Sequence, residues 1–332
     1  VLGSSERPLQ ETYDVAVLDL DGVVYVGPDA VPGAPEALNA AQAGGMHLAF
    51  VTNNAARPPQ EIAGQLRAFG VDAHDEDVVT SSQAAARLLS TQLEQGSKVY
   101  LIGGTGLEQA LRERGLEPVT EPDDDVAAVV QGYGPDMPWK RVVRGAVLLN
   151  QGLPWVASNT DMTFPTAKGV GPGNGALVEL LARFSGREPQ VAGKPKAPLF
   201  EETITRVGGR HPLVVGDRLD TDIEGAVTMG WDSLLVLTGV TGLEELVSAT
   251  KDRRPTYVGP DLGALAEAQT SPEVTEGAVA LGGWTVSVGG GRPEIEGAGS
   301  AGDWWRAVAV AAWRHLDDTG QPVEIGDVQV PQ

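Results

Sequence analysis

The run Val15-Ala16-Val17-Leu18, followed at once by Asp19-Leu20-Asp21-Gly22, constrains this chain more than any other stretch. Apolar, β-prone residues in unbroken series read as a strand buried on both faces, the kind found in parallel sheets covered by helices. Gly22 then ends the strand. Alternate side chains of a strand point the same way, so Asp19 and Asp21 offer two carboxylates at its carboxyl end. That is the edge at which open α/β sheets bind ligands. There, one carboxylate can attack a phosphoryl group while the other handles a proton and Mg²⁺ is held between them.

Three further signals follow in a consistent order. His47-Leu48-Ala49-Phe50-Val51 reads as a second buried strand ending at Thr52-Asn53-Asn54. Gln190-Val191-Ala192 leads into Gly193-Lys194-Pro195, with a helical pattern from about Ala197. Leu213-Val214-Val215 ends at Gly216-Asp217-Arg218-Leu219-Asp220-Thr221-Asp222. Read singly, these are a turn, an exposed loop and an acidic helix start. Read together, they assemble one phosphate site. Thr52 offers a hydroxyl, Asn53 backbone and amide donors, Lys194 a positive charge, and Asp217 a further carboxylate for a hard cation.

These motifs resemble those of the haloacid dehalogenase superfamily of phosphatases, over roughly residues 13 to 262. Asp19-x-Asp21 matches the family's first motif, Thr52 its second, Lys194 its third, and Gly216-Asp217 with Asp222 its fourth. The resemblance implies that Asp19 is the nucleophile and forms an aspartyl-phosphate. Asp21 would protonate the leaving alcohol and then activate water. Mg²⁺ would be held by the Asp19 carboxylate, the Asp21 backbone carbonyl and Asp217, with Asp222 behind them. Gly22, Thr52, Asn53, Asn54 and Lys194 would bind the phosphate.

Lys194 follows Thr52 far later than one βα unit requires, so an inserted domain is expected. Its segments alternate: strands over Lys98 to Gly103, Val126 to Gln131 and Leu153 to Ala157, helices over Thr105 to Arg114 and Trp139 to Leu149. This looks like the α/β C2-type cap of the p-nitrophenyl phosphatase, phosphoglycolate phosphatase and glycerol-3-phosphate phosphatase-like branch. The stretches 157–161 and 171–175 fit that branch, the glycines of the second reading as hinge or turn. The loop from Asn159 to Thr166 would reach substrate, with Asn159, Asp161 and Phe164 as its candidate contacts. Phe164 stands where some members carry a substrate-touching His, which speaks against a pyridoxal-phosphate type of substrate. Glycerol 3-phosphate and phosphoglycolate are the favoured substrates by this resemblance. Nucleotide or sugar phosphates, and a phosphometabolite sensor signalling through the C-terminal segment, are the alternatives.

Composition narrows the partners. The net charge of −21 over 332 residues provides no basic stripe for nucleic acid. The acidic runs Asp72 to Asp77 and Asp123-Asp124-Asp125 read as solvated loops. With no cysteine there is neither disulfide nor thiol chemistry, and the four histidines are isolated, without zinc-site spacing. No apolar run reaches membrane-spanning length, and no signal sequence is visible, so a cytoplasmic enzyme is expected. The first dozen residues read as a flexible leader. Dimers are common in the branch, so a homodimer is the assembly the resemblance implies.

The expected architecture is α/β. A Rossmann-like core with a parallel sheet spans 1–93 and 189–262, an α/β C2 cap spans 94–188, and a small β-β-α module spans 263–332. Within that last segment, residues 277–281 and 284–288 read as a hairpin across Gly282-Gly283. A helix from Asp303 as N-cap to about Leu316 follows. So short a unit has a thin core and gains from docking on the rest of the chain or on another. Its tryptophans suit a structural or interaction module. An acetyltransferase fragment would need a pyrophosphate loop that Gly289-Gly290-Gly291-Arg292-Pro293 does not match, because Pro293 lacks a backbone donor.

Overall fold

The computed structural model describes residues 2–121, 125–166 and 169–331. The chain forms two units, Val1–Leu48 with Gly209–Gln332, and Ala49–Gly208. In the first unit the apolar runs become parallel strands in the order Tyr257–Gly259, Asp232–Val236, Pro212–Gly216, Val15–Leu18. Every residue of Val15–Leu18 and of Pro212–Gly216 is buried, as strands packed on both faces require. Leu18 sits opposite Val215, and the Asp19 N–H donates to the Val215 carbonyl at 2.8 Å. The ladder thus runs one residue past the strand and delivers Asp19 beside the chain that becomes Asp217.

The C-terminal segment contributes an antiparallel sheet in the order Glu273–Val274, Val279–Leu281, Trp284–Gly289, Arg292–Gly297. The central pair is the hairpin expected from the sequence; the outer strands were not expected. The helix Ala301–Thr319 follows. Its N-cap is Ser300, whose hydroxyl accepts from the Asp303 N–H at 3.1 Å, so Asp303 is not the cap but its reciprocal partner within the first turn. Trp304, Trp305, Val308 and Trp313 of this helix share one apolar cluster with Leu235, Leu246 and Val258. The Trp313 indole N–H donates to the Leu246 carbonyl at 2.7 Å, and Arg254 lies over the Trp313 ring while its guanidinium holds Asp317 at 2.8 and 2.9 Å.

The leader reading is corrected. Leu2 and Leu9 are buried, the Gly3 N–H donates to the Thr256 carbonyl at 2.8 Å, and Ser5 bridges Gln269. Two leucines and a pair of backbone bonds anchor these residues, too little periodic signal to be seen in the sequence. Next to them, burial and the bonds of Tyr13 to Tyr257 and Asp232 push the Tyr13 hydroxyl far above its ordinary range.

In the second unit, residues 50–52 of the strand His47–Thr52 pair in parallel with Val78–Thr80. A further parallel sheet runs Gln190–Val191, Trp155–Ala157, Val126–Gln131, Lys98–Ile102, Glu117–Val119. Part of the stretch read as a substrate loop is instead a strand, Thr163–Thr166, in a hairpin with Gly169–Pro172. Glu202 is fully buried and takes ion pairs from Arg114 at 2.6 Å, Arg87 at 3.6 Å and Arg206, bracing three segments on one carboxylate. Of the acidic runs, Asp123 and Asp124 lie outside the described residues, while Asp125 pairs with Lys98 at 3.0 Å. Asp77 is buried rather than solvated, accepting from the His74 N–H at 3.0 Å. Among the described residues no helix is long and apolar enough to cross a membrane.

Because Trp313 fills the shared cluster and also closes a buried hydrogen bond, Trp313→Ala should cost about 3–5 kcal/mol. Urea unfolding followed by circular dichroism measures this; a midpoint equal to that of the parent chain would contradict the packing described.

Candidate active site

Each unit presents one set of the residues singled out in the sequence. In the first unit, ligand atoms of Asp19, Asp217 and Asp222 all lie within 4.8 Å of one another. Asp217 and Asp222 have no solvent exposure, whereas Asp19 is partly open and Asp21 is exposed. The geometry follows from the strand ends. Asp19 and Asp217 each come one residue past the end of their strand, Val15–Leu18 and Pro212–Gly216, and these strands are parallel neighbours. A single π-type turn over Leu219–Ile223 then swings Asp222 back, where its carboxylate accepts from the Arg218 N–H at 3.2 Å. The Asp21 carboxylate is not one of the converging three.

Residues the sequence reading passed over hold Asp217 in place. Its Oδ2 accepts from the Val240 N–H at 2.7 Å, and its carbonyl accepts from the Thr241 N–H at 3.2 Å. Thr238 donates its hydroxyl to the Gly22 carbonyl at 2.6 Å. Gly22, at φ +85°, and Gly239 both pack so closely on Asp217 that a Cβ at either would collide with its carboxylate. The signal was present as Thr238-Gly239-Val240-Thr241 following the strand Asp232–Val236, but a Gly/Thr run after a strand usually marks only a turn.

Three carboxylates brought this close, two of them out of water, raise one another's energy unless positive charge joins them. Their oxygens form a hard, anionic donor set of the kind that divalent cations such as Mg²⁺ or Ca²⁺ take. The residues therefore fit a resident divalent cation.

In the second unit, Thr52, Asn53 and Lys194 are all nine-tenths or more buried. The Thr52 hydroxyl accepts from the Asn54 N–H at 3.0 Å, and the Asn54 side chain accepts from the Ala56 N–H at 2.9 Å. Asn54 thus shapes the turn with its side chain. Asn53 spans Lys194: its Oδ1 accepts from the Lys194 N–H at 2.8 Å and its Nδ2 donates to the Lys194 carbonyl at 3.1 Å. Asp161 accepts from the same Nδ2 at 3.1 Å. Asn159 is buried and donates to the Asn53 carbonyl at 2.6 Å. Asn159 and Asp161 are therefore joined to Asn53, whereas Phe164 lies in the hairpin against the Tyr133 ring, 4.8 Å between centroids.

Comparison with known proteins gives the family. Family models described as haloacid dehalogenase-like hydrolase and HAD-hydrolase-like match residues 16–117 and 191–265. A D-glycerol 3-phosphate phosphatase of Mycobacterium tuberculosis is 40% identical over 97% of this chain and 93% of its own. The chain belongs to the haloacid dehalogenase-like hydrolases and is an enzyme of that family. An acid sugar phosphatase of Staphylococcus aureus is 34% identical over 77% of this chain and 98% of its own. The crystal structure of the M. tuberculosis glycerol phosphate phosphatase in complex with magnesium superposes with a TM-score of 0.85 at 39% identity, covering 97% of this chain and 95% of that one. A match that long takes in most of the C-terminal segment.

If Gly239 and Gly22 are glycine so that Asp217 can stand where it does, Gly239→Ala should weaken divalent-cation binding by about 10–100-fold. Calorimetric titration with Mg²⁺ reads this, with circular dichroism to show that the fold persists. Unchanged affinity would mean that the position of the Asp217 carboxylate is immaterial to cation binding.

Proposed function

We propose that this chain is a Mg²⁺-dependent phosphatase acting on small phosphorylated metabolites, with glycerol 3-phosphate as its preferred class of substrate. The carrying observation is the convergence of Asp19, Asp217 and Asp222 at the ends of adjacent parallel strands. The substrate class rests on the similarity to the M. tuberculosis enzyme along almost its entire length.

In the proposed mechanism the Asp19 carboxylate attacks phosphorus in line. A bond from Asp19 to phosphorus forms as the bond from phosphorus to the substrate alcohol oxygen breaks, and Asp21 gives that oxygen its proton. Asp21, now ionised, takes a proton from water. The resulting hydroxide attacks phosphorus, the bond to Asp19 breaks, and inorganic phosphate leaves with Asp19 regenerated. Lys194, the Thr52 hydroxyl and backbone donors at Gly22 and Asn53 offset the charge on the phosphoryl oxygens. Asp19 and Asp217, with Asp222 in the same cluster, would hold Mg²⁺, which supplies neutralisation of the phosphoryl charge when bound.

The exposure of Asp21 supports its role, since an acid/base that exchanges protons with an alcohol and then with water needs access to both. A homodimer also belongs to this reading. Trp139, Val143 and Val147 are exposed at four-residue spacing along the helix Trp139–Asn150, a stripe that supports self-association.

Phosphate release should be measured from glycerol 3-phosphate, phosphoglycolate, a hexose phosphate and a nucleoside monophosphate, with Mg²⁺ and with EDTA. Mg²⁺-dependent turnover highest on glycerol 3-phosphate is expected, and Asp19→Asn should lower it by at least about 10³-fold, as loss of a nucleophile does. Saturable binding without hydrolysis would favour a sensor. Undiminished turnover by Asp19→Asn would remove the nucleophile assignment.

A further inference from the structure

Asn53 looks at first like a phosphate ligand, but its side chain has no donor left to offer one. A carboxamide has two N–H donors and one carbonyl acceptor. The Nδ2 group of Asn53 faces two oxygens, the Lys194 carbonyl at 3.1 Å and Asp161 Oδ1 at 3.1 Å, while Oδ1 faces the Lys194 N–H at 2.8 Å. The two bonds to Lys194 grip that residue's own N–H and C=O together. They fix its backbone torsions, and with them the origin of its side chain.

The grip is itself anchored. The Asn53 carbonyl accepts from Ser81 Oγ at 2.6 Å and from Asn159 Nδ2 at 2.6 Å. The Asn159 carbonyl accepts from Asn174 Nδ2 at 2.7 Å, and Asn174 Oδ1 accepts from Gln131 Nε2 at 3.2 Å. All four amides are at least nine-tenths buried. The glycines beside Asn174 exist for this approach: neither has a positive φ, and a Cβ on Gly173 or Gly175 would strike the carbonyls of Asp161 or Thr160. They are therefore glycines of close contact, where the sequence reads as a hinge or turn. Gln131 Oε1 is buried without a hydrogen-bond partner among the described residues. A chain of buried amides left incomplete at one end is a poor source of stability compared with apolar packing. Its retention makes sense if what it fixes has a use.

We propose that Asn53 is the positioning residue for Lys194, and that the relay Gln131–Asn174–Asn159 carries that positioning inward from the strand Val126–Gln131 and the start of the helix Asn174–Ser185. This rests on Lys194 being a phosphate-binding cation as proposed above. The Asn53 side chain then acts through Lys194 and contributes nothing of its own to the phosphoryl group. A carboxamide suits the task, because its N–H and C=O can pair with both backbone groups of one residue at once.

Two readouts test this. Hydrogen exchange at the Lys194 amide should be protected in the parent chain and should lose that protection in Asn53→Ala, whether or not the protein turns over phosphate esters. Retained protection would refute the grip. A double-mutant cycle on kcat/KM for glycerol 3-phosphate gives the second. Asn53→Ala should lower kcat/KM by about 10²-fold in the parent, as misplacement of a catalytic group does, and by less than about twofold on a Lys194→Ala background. An equal factor in both backgrounds would show that Asn53 acts independently of Lys194 and would overturn the proposal. If Asn53→Ala does not fold, Asn174→Ala puts the same two questions from the middle of the relay. A parent chain with no turnover on any phosphate ester would refute the phosphatase reading instead, and the exchange measurement would still decide the grip.

Discussion

Like-charge crowding at one sheet edge is the constraint around which the first unit is built. Asp19, Asp217 and Asp222 come within 4.8 Å of one another, and nothing about folding rewards that closeness. It is imposed by the parallel register that places Leu18 opposite Val215, and by the turn over Leu219–Ile223 that returns Asp222 to the strand end. The cost of the repulsion is carried by well-packed strands beneath it, with Leu18 and Val215 at zero exposure. A cation then turns the same crowding into affinity.

The C-terminal segment bears on that support. Its helix Ala301–Thr319 shares an apolar cluster with Leu219 and Ile223, which belong to the turn that carries Asp222. Its tryptophans thus belong to the same apolar core as the turn that carries one of the three carboxylates. A β-sheet and a helix of this size bury too little to stand alone, and here they form no separate core: Trp304 and Trp313 count among the same buried residues as Leu235, Leu246 and Val258.

What the sequence made legible was whatever rests on short-range pattern. The apolar runs ending in Asp19, Thr52 and Asp217 announced their strands, and the alternation between Lys98 and Ala157 announced a second α/β sheet. Less visible was everything that depends on partners distant in the chain. Asn53 and Lys194 meet across 141 positions, and no local periodicity tells an asparagine that binds phosphate from one that binds a backbone. The strand Arg292–Gly297 was hidden by its proline, which an antiparallel edge accepts where a central strand would not. The helix cap was misread by one turn because Ser300 and Asp303 are both good caps, and only the geometry shows which accepts the N–H. Gly173 and Gly175 illustrate the same limit, since a glycine needed for close approach and one needed for a bend look alike in a sequence.

The two units meet their electrostatic demands by opposite means. The first concentrates charge: three carboxylates are gathered, and backbone N–H groups from Val240 and Arg218 steady two of them. The second unit fixes a backbone, gripping the N–H and C=O of Lys194 with one carboxamide that is itself tied to Asp161. The difference follows from what each must do. A cluster that holds a divalent cation needs high negative charge density and pays in repulsion. A lysine that meets a mobile dianion needs a fixed origin, so a rigid clamp on its backbone is the better support. Within a chain of net charge −21, a cation held at a fixed place is what draws an anionic substrate in against the net field.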